Sequence, residues 1–258
     1  EFSAMQNLRT LSTLNIDNVY KNGCISRSSI GNSLCYNFYP NIWDVKKMCG
    51  GKLSISIRDA FYDDKLLKKI IRFSLKYTNS INDFKSGFRL LKVGYCMNFR
   101  PVAAKIIYDT NLKPKSKVLD YAAGYGGRLL GAWAANNVYE YIALEPNTET
   151  FNNARRFDPF LNKYFPNLKT IIYKVCSEDF NVQKYFQYKE YFDMAFSSPQ
   201  YFDLEIYSNE KTQSANKFPE YSLWVKGFLK PTIHNCIDPT FKSLKPLLKS
   251  FIHYLYLE

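Results

Sequence analysis

From about residue 100 onward, short apolar runs alternate with longer segments whose apolar positions recur every three or four residues, as strands and helices do. Val118–Tyr121 is a short apolar run carrying Asp120. A helix follows from Gly127 to about Asn136. Tyr141–Leu144 is a second buried strand with Glu145 at its carboxyl end, and Thr170–Val175 alternates like a third. Tyr191–Phe196, interrupted by Asp193, reads as the fourth, and Phe251–Leu257 as a fifth. Pro101 opens the amphipathic run Val102–Tyr108, and Pro219–Asn235 is helical up to Lys230, where Pro231 kinks it. This alternation predicts an α/β fold of three layers, Rossmann-like, with a mainly parallel sheet and a smaller N-terminal lobe.

Before residue 90 the pattern is weaker. Leu53–Ile57 is strand-like, Asp63–Lys76 is an amphipathic helix, and Tyr77–Lys85 is a loop. The best boundary lies near Phe88–Gly94. The chain thus divides into residues 1–4, an expression remnant, 5–93, a basic lobe, and 94–258, the α/β domain.

Between the first two strands, Gly124, Gly126 and Gly127 let the backbone turn tightly, approach a ligand and enter a helix. Glu145 falls where a carboxylate would hold a ribose diol. A plain packed turn would also need glycine. The spacing departs from the dinucleotide pattern Gly-x-Gly-x-x-Gly, because the third small residue comes too early. It resembles the first motif of class I S-adenosylmethionine-dependent methyltransferases. That resemblance implies S-adenosylmethionine as cofactor, with Asp120 near its methionine end, Gly124 and Gly126 in the turn against it, and Glu145 on the ribose.

A second constellation, Ser197-Ser198-Pro199-Gln200-Tyr201-Phe202, follows the fourth strand. Ser198, Pro199 and Tyr201 resemble the Asp/Asn/Ser-Pro-Pro-aromatic tetrapeptide of the amino-methyltransferases that modify adenine N6 or cytosine N4 in DNA. Gln200 departs from it and halves the stiffness that two prolines give. The chemistry accounts for the residue types. An exocyclic amino nitrogen is a poor nucleophile until its lone pair is localised. A hydroxyl at Ser198 and a carbonyl at Pro199 would accept its two hydrogens, while Tyr201, with Phe202 beside it, would stack the extruded base.

Two further segments are carried by the same resemblance, which covers about residues 95–258. Asn98 and Arg100 precede the helix at Pro101, beside the cofactor's methionine moiety, although Arg100 is equally a surface charge. Ser177, Glu178 and Asp179 follow the third strand, where a polar residue such as Glu178 meets the cofactor adenine; equally, Ser177 caps the next helix.

Charge adds a partner. The net charge is +12, and residues 51–100 hold 11 Lys and Arg against 4 Asp and Glu, whereas residues 101–150 hold 5 of each. Lys65, Lys68 and Lys69 on the amphipathic helix are the phosphate-facing candidates for nucleic acid, DNA in first place. An enrichment in Lys, Asn, Ile, Tyr and Phe would also put charge on a solvated face. Six cysteines without a Cys-x-x-Cys pair, and two histidines, argue for reduced thiols and no metal. No run approaches about 18 apolar residues, so a cytoplasmic protein is expected. In the resembled family an antiparallel pair usually follows the fifth strand, and no sequence remains for it here, so either the lobe before residue 90 donates strands such as Leu53–Ile57 or one sheet edge is covered by a protein partner or a second copy. The same chemistry on RNA or on a protein amide, and a non-catalytic nucleic-acid-binding subunit, remain open alternatives.

Overall fold

The computed structural model describes residues 2–25, 27–49, 51–77, 87–88, 91, 93–94, 96–164, 166–186 and 191–237. Four parallel strands form its centre: β1 (Ser116–Asp120), β2 (Val138–Leu144), β3 (Lys169–Tyr173) and β4 (Met194–Ala195). Their spatial order is β3-β2-β1-β4. The chain steps outward from β1 to β3 and returns to the other side of β1, which opens a crevice at the carboxyl ends where the order reverses. The helices α1 (Pro101–Asn111), α2 (Gly127–Ala134) and α3 (Thr148–Asn162) and the short α4 (Val182–Phe186) connect and cover them.

Strand alternation builds the three layers. Val118, Tyr141 and Ala143 point to one face and share a core with Ile106, Leu130 and Phe157. Leu119, Ile142 and Leu144 point to the other, against Phe180, Val182, Phe192 and Cys236. Each buried Leu or Ile contributes about 1.5–3 kcal/mol, so the sheet is anchored from both sides. The fold is therefore a Rossmann-like α/β fold.

Among the described residues, part of the N-terminal segment expected as a lobe over 5–93 packs on the core of the α/β layers. Leu8, Leu11, Leu34, Tyr39, Ile42 and Val45 are buried in the same core as α1 and α2. Asn41 Nδ2 donates to Thr150 Oγ1 at 2.7 Å and its Oδ1 accepts from Asn153 Nδ2 at 3.0 Å, which ties this segment to α3. Among the described residues, Ala60, Ile70, Phe88 and Val93 make a separate small core.

The strand expected over Leu53–Ile57 is shorter. Lys52–Leu53 pairs with Lys46–Cys49, and Ser56 caps a helix over Ile57–Tyr62. Lys46–Cys49 pairs in turn, antiparallel, with Glu205–Ile206, so the hairpin adds a strand beyond the tetrapeptide rather than to the central sheet. Helical structure also runs past Pro231, through widened turns at Val225–Leu229 and Ile233–Ile237 that absorb the missing proline N–H. Phe251–Leu257, Leu244–Leu248 and most of Tyr77–Lys85 lie outside the described residues. Among the described residues no helix is long and apolar enough to cross a membrane.

Candidate functional site

A cavity of about 900 Å³ lies at the carboxyl ends of β1 and β2, at the upper end of the range for ligand pockets. Among the segments that line it are three distant in sequence, the turn after β1, the end of β2 and the loop after β4.

Glu145 is the end of β2 and is 7% exposed. Its Oε2 accepts the Gly124 N–H and its Oε1 the Asn147 N–H, each at 3.0 Å. A carboxylate has about four acceptor positions, so two are left for a ligand. Burial pushes the Glu145 carboxyl up to about 7 against the two backbone hydrogen bonds, which lower it. Asn147 is also the cap of α3, its Oδ1 accepting the Thr150 N–H.

The glycines divide by task. Gly124, at φ +59°, lines the cavity, and a Cβ there would meet nothing closer than 3.9 Å. Gly126 and Gly127 face the protein instead. A Cβ on Gly126 would lie 2.5 Å from the Tyr39 ring, and one on Gly127 would lie 1.8 Å from the Phe99 carbonyl oxygen. Gly126, expected against the cofactor, is thus required by packing.

Asp120 also departs from expectation. It is wholly buried and does not line the cavity. Its Oδ2 holds Arg128 Nε at 2.8 Å and accepts the Tyr141 hydroxyl; its Oδ1 accepts the Ser197 hydroxyl at 2.7 Å. Arg128 donates onward to the carbonyls of Ala122 and Ala123. Asp120 therefore shapes the turn through Arg128, and the tetrapeptide through Ser197.

Asn98 and Arg100 do line the cavity. The Asn98 carboxamide lies beside the buried Cys35 thiol, and its Nδ2 otherwise meets no acceptor among the described residues. Glu178 lines it too, but its Oε1 already receives Lys217 Nζ at 2.9 Å, which also reaches Asp179 Oδ2 at 2.9 Å. Ser177 lies within a short 3-10 turn and pairs with Thr232 at 2.9 Å rather than capping it. Ligand atoms of Cys176, Glu178 and Asp179 lie within 4.8 Å of one another, a metal-like grouping that sequence spacing did not flag; the Lys217 ammonium pairs with both acids and offsets one of their two charges. Burial pushes the Cys35 and Cys236 thiols up to about 12.

In the loop after β4, Ser198, Gln200 and Tyr201 line the cavity, and Ser198 Oγ is 3.4 Å from the Tyr201 hydroxyl. Pro199 lies between them without lining it. Phe202, at φ +47°, turns away to pack on Tyr221 and Trp224, so it is not on the base side as expected. Gln200 makes up for the absent second proline. Its Nε2 donates to the Phe202 carbonyl at 2.9 Å, and its Oε1 accepts the Ser214 hydroxyl at 2.8 Å. Hydrogen bonds, rather than a ring, hold this loop.

Residues that sequence reasoning missed complete the wall. Glu205, 8% exposed, takes Lys47 Nζ at 2.6 Å and the Tyr207 hydroxyl. The strand pairing of Lys47 with Glu205 brings them together, and no local pattern announces it. The loop then crosses α3, where Glu210 accepts the Thr148 N–H at 3.1 Å. Lys65, Lys68 and Lys69 are exposed together on the helix Asp64–Tyr77, outside the cavity wall.

No protein-family profile and no curated protein sequence matches the chain. Among solved structures it is similar to one described, provisionally, as a caffeoyl-CoA O-methyltransferase from Staphylococcus aureus, at 16% identity and a TM-score of 0.27. The match covers 52% of this chain and 60% of that one.

Proposed function

We propose that the protein transfers a methyl group from S-adenosylmethionine to the exocyclic amino group of a DNA base, adenine N6 or cytosine N4. The observation that carries this reading is a single cavity with Glu145 and Gly124 in one wall and Ser198 and Tyr201 in another. A nucleoside carboxylate site and an amino-acceptor loop are thereby within one ligand's reach of each other.

The residues present suit the cofactor. Glu145 retains free acceptor positions for a ribose diol, Gly124 leaves room for close approach, and Asn98 Nδ2 offers a donor to the methionine end. Arg100 in the same wall suits a carboxylate. Bound there, S-adenosylmethionine would supply a sulfonium methyl to the amino nitrogen of the base, whose surplus proton would pass to solvent at the open mouth of the cavity. Ser198 Oγ accepts one amino hydrogen and turns the nitrogen lone pair out of the ring plane. The Pro199 carbonyl keeps the second by sequence pattern alone. Tyr201, 57% exposed at the cavity wall, gives a flat face to a base taken out of the stack. Lys65, Lys68 and Lys69 would meet the phosphate backbone.

The test is nucleoside mass spectrometry of DNA and RNA incubated with the protein and labelled S-adenosylmethionine. N6-methyladenine or N4-methylcytosine in DNA, lost in Ser198→Ala with cofactor affinity unchanged, is the expected result. Label confined to RNA or to protein would replace this reading. Tyr201→Ala should slow a paired target more than an unpaired one, because stacking worth about 1–3 kcal/mol matters most when it offsets flipping.

A further inference from the structure

One cavity side chain has half of its hydrogen-bonding capacity fixed and the other half unused. Gln213 is 7% exposed and lines the cavity. Its Oε1 accepts the backbone N–H groups of Tyr207 and Ser208, both at 2.8 Å. Those two donors decide which way the carboxamide points, since a flipped amide would set its NH₂ against two N–H groups. Its Nε2 is buried and meets no acceptor among the described residues. Buried donors are normally satisfied, so an unsatisfied one in a cavity wall implies an acceptor arriving with the ligand.

The neighbours of Gln213 say which part of the ligand. Ser214, next in the chain, donates to Gln200 Oε1 and so joins Gln213 to the loop that carries Ser198 and Tyr201. Tyr207, held by Gln213 at its backbone, bonds Glu205 through its hydroxyl. The backbone N–H of Gln213 itself donates to the Glu210 carbonyl, and the Glu210 carboxylate holds Thr148 near the ribose end, so Gln213 stands between the two ends of the cavity, and the Ser214–Gln200 bond gives it the target side.

We propose that Gln213 Nε2 donates to the ring nitrogen beside the amino-bearing carbon of the target base. This inference rests on the function proposed above and deepens it. In adenine that atom is N1 and in cytosine N3, and both are acceptors. Guanine and thymine carry an N–H at the corresponding position, which would face the Gln213 NH₂ donor to donor. One carboxamide then selects amino bases over oxo bases before Ser198 engages the amino group. A polar group left unpaired by the wrong ligand discriminates far more strongly than a difference in shape.

The test uses oligonucleotides whose only target is an unpaired adenine, 1-deazaadenine, cytosine or 3-deazacytosine. The deaza bases replace the ring acceptor by C–H. Wild-type kcat/KM should fall about tenfold or more on the deaza form of whichever base is methylated. Gln213→Glu keeps the acceptor for Tyr207 and Ser208 and replaces only the donor. It should lose a similar factor on the natural base, cease to distinguish the deaza form, and bind S-adenosylhomocysteine as the wild type does. Equal wild-type rates on natural and deaza bases would overturn the assignment while leaving the methyl transfer intact, and they require no variant to fold. Weaker S-adenosylhomocysteine binding by Gln213→Glu, with the deaza discrimination unchanged, would also overturn it by placing Gln213 on the cofactor. A wild type that binds S-adenosylmethionine but methylates none of the four would remove the proposed function and this inference together.

Discussion

The Glu145 carboxylate accepts the Gly124 N–H at 3.0 Å, so the end of β2 is tied to the glycine turn that follows β1. The proposed cofactor contact is therefore also a structural one. Glu145→Ala should weaken S-adenosylmethionine binding by about 1.5–3 kcal/mol, the scale of hydrogen bonds to a charged group, and should destabilise the ligand-free protein as well. Glu145→Gln keeps one acceptor oxygen and should fall between. Calorimetry together with thermal unfolding separates the two losses; unchanged affinity in Glu145→Ala would remove the ribose assignment.

The acidity of Glu145 gives a pH signature. Burial raises its carboxyl from 4.5 to about 7, so the folded chain holds this proton more tightly than the unfolded chain. Its contribution to stability is fully present below about pH 4.5 and is lost as pH rises through about 7. A diol donating hydrogen bonds to the carboxylate favours the ionised form. Cofactor affinity should then increase from pH 6 to 8, with proton release on binding. Titration calorimetry at pH 6.5 in two buffers of different ionisation enthalpy measures that proton, and Glu145→Gln should abolish it.

Replacing Gln200 by proline restores the tetrapeptide of the resembled family but removes the bonds to Phe202, Glu205 and Ser214. Gln200→Pro should lower stability by about 1–3 kcal/mol, because Ser214 loses its acceptor and the Phe202 carbonyl its donor. Chemical denaturation checks this. A variant as stable as the wild type would mean that ring stiffness and the hydrogen bonds are interchangeable.

Asp120 and Arg128 form an almost wholly buried ion pair, 2.8 Å apart. Asp120→Asn or Arg128→Met strands the other charge, a change that costs about 3–5 kcal/mol. Both should unfold at markedly lower denaturant, and should lose cofactor binding through the disordered turn rather than through a lost contact. Full stability with weak cofactor binding would instead return Asp120 to the ligand.

Lys65, Lys68 and Lys69 share one exposed side of a helix whose start is capped by Asp63, its Oδ1 accepting the Lys65 and Leu66 N–H groups. Changing the three lysines to Gln should weaken DNA binding for all sequences alike and flatten its salt dependence. Filter binding or anisotropy over a salt series measures both. A loss confined to one sequence would show base readout instead.

The parts legible in the sequence are those whose cause is local. Apolar runs gave the central strands, the glycines gave the turn, and Glu145 fell at the strand end because strand length is written in consecutive residues. Asp120 misled for a physical reason. A strand-end carboxylate has the same spelling whether it faces a ligand or an arginine eight positions later, and burial decides which. Phe202 and Gly126 misled likewise, since their neighbours, Trp224 and Tyr39, are remote in sequence. Lys47, Glu205 and Gln213 carried no signal alone; their meaning comes from a strand pairing and from a carboxamide oriented by the N–H groups of Tyr207 and Ser208 across an irregular loop that no periodicity marks.

The pairing of Lys46 with Ile206 has a consequence for how the protein comes into being. During synthesis the first wall of the cavity emerges from the ribosome long before the strand that completes it, and until then its edge hydrogen bonds go to water or to a wrong partner. Contacts so distant in sequence close late and slowly. Binding competence should therefore be among the last properties the nascent chain acquires, after the parallel sheet is in place, and a ligand that bridges both walls would act as a pharmacological chaperone for that final step.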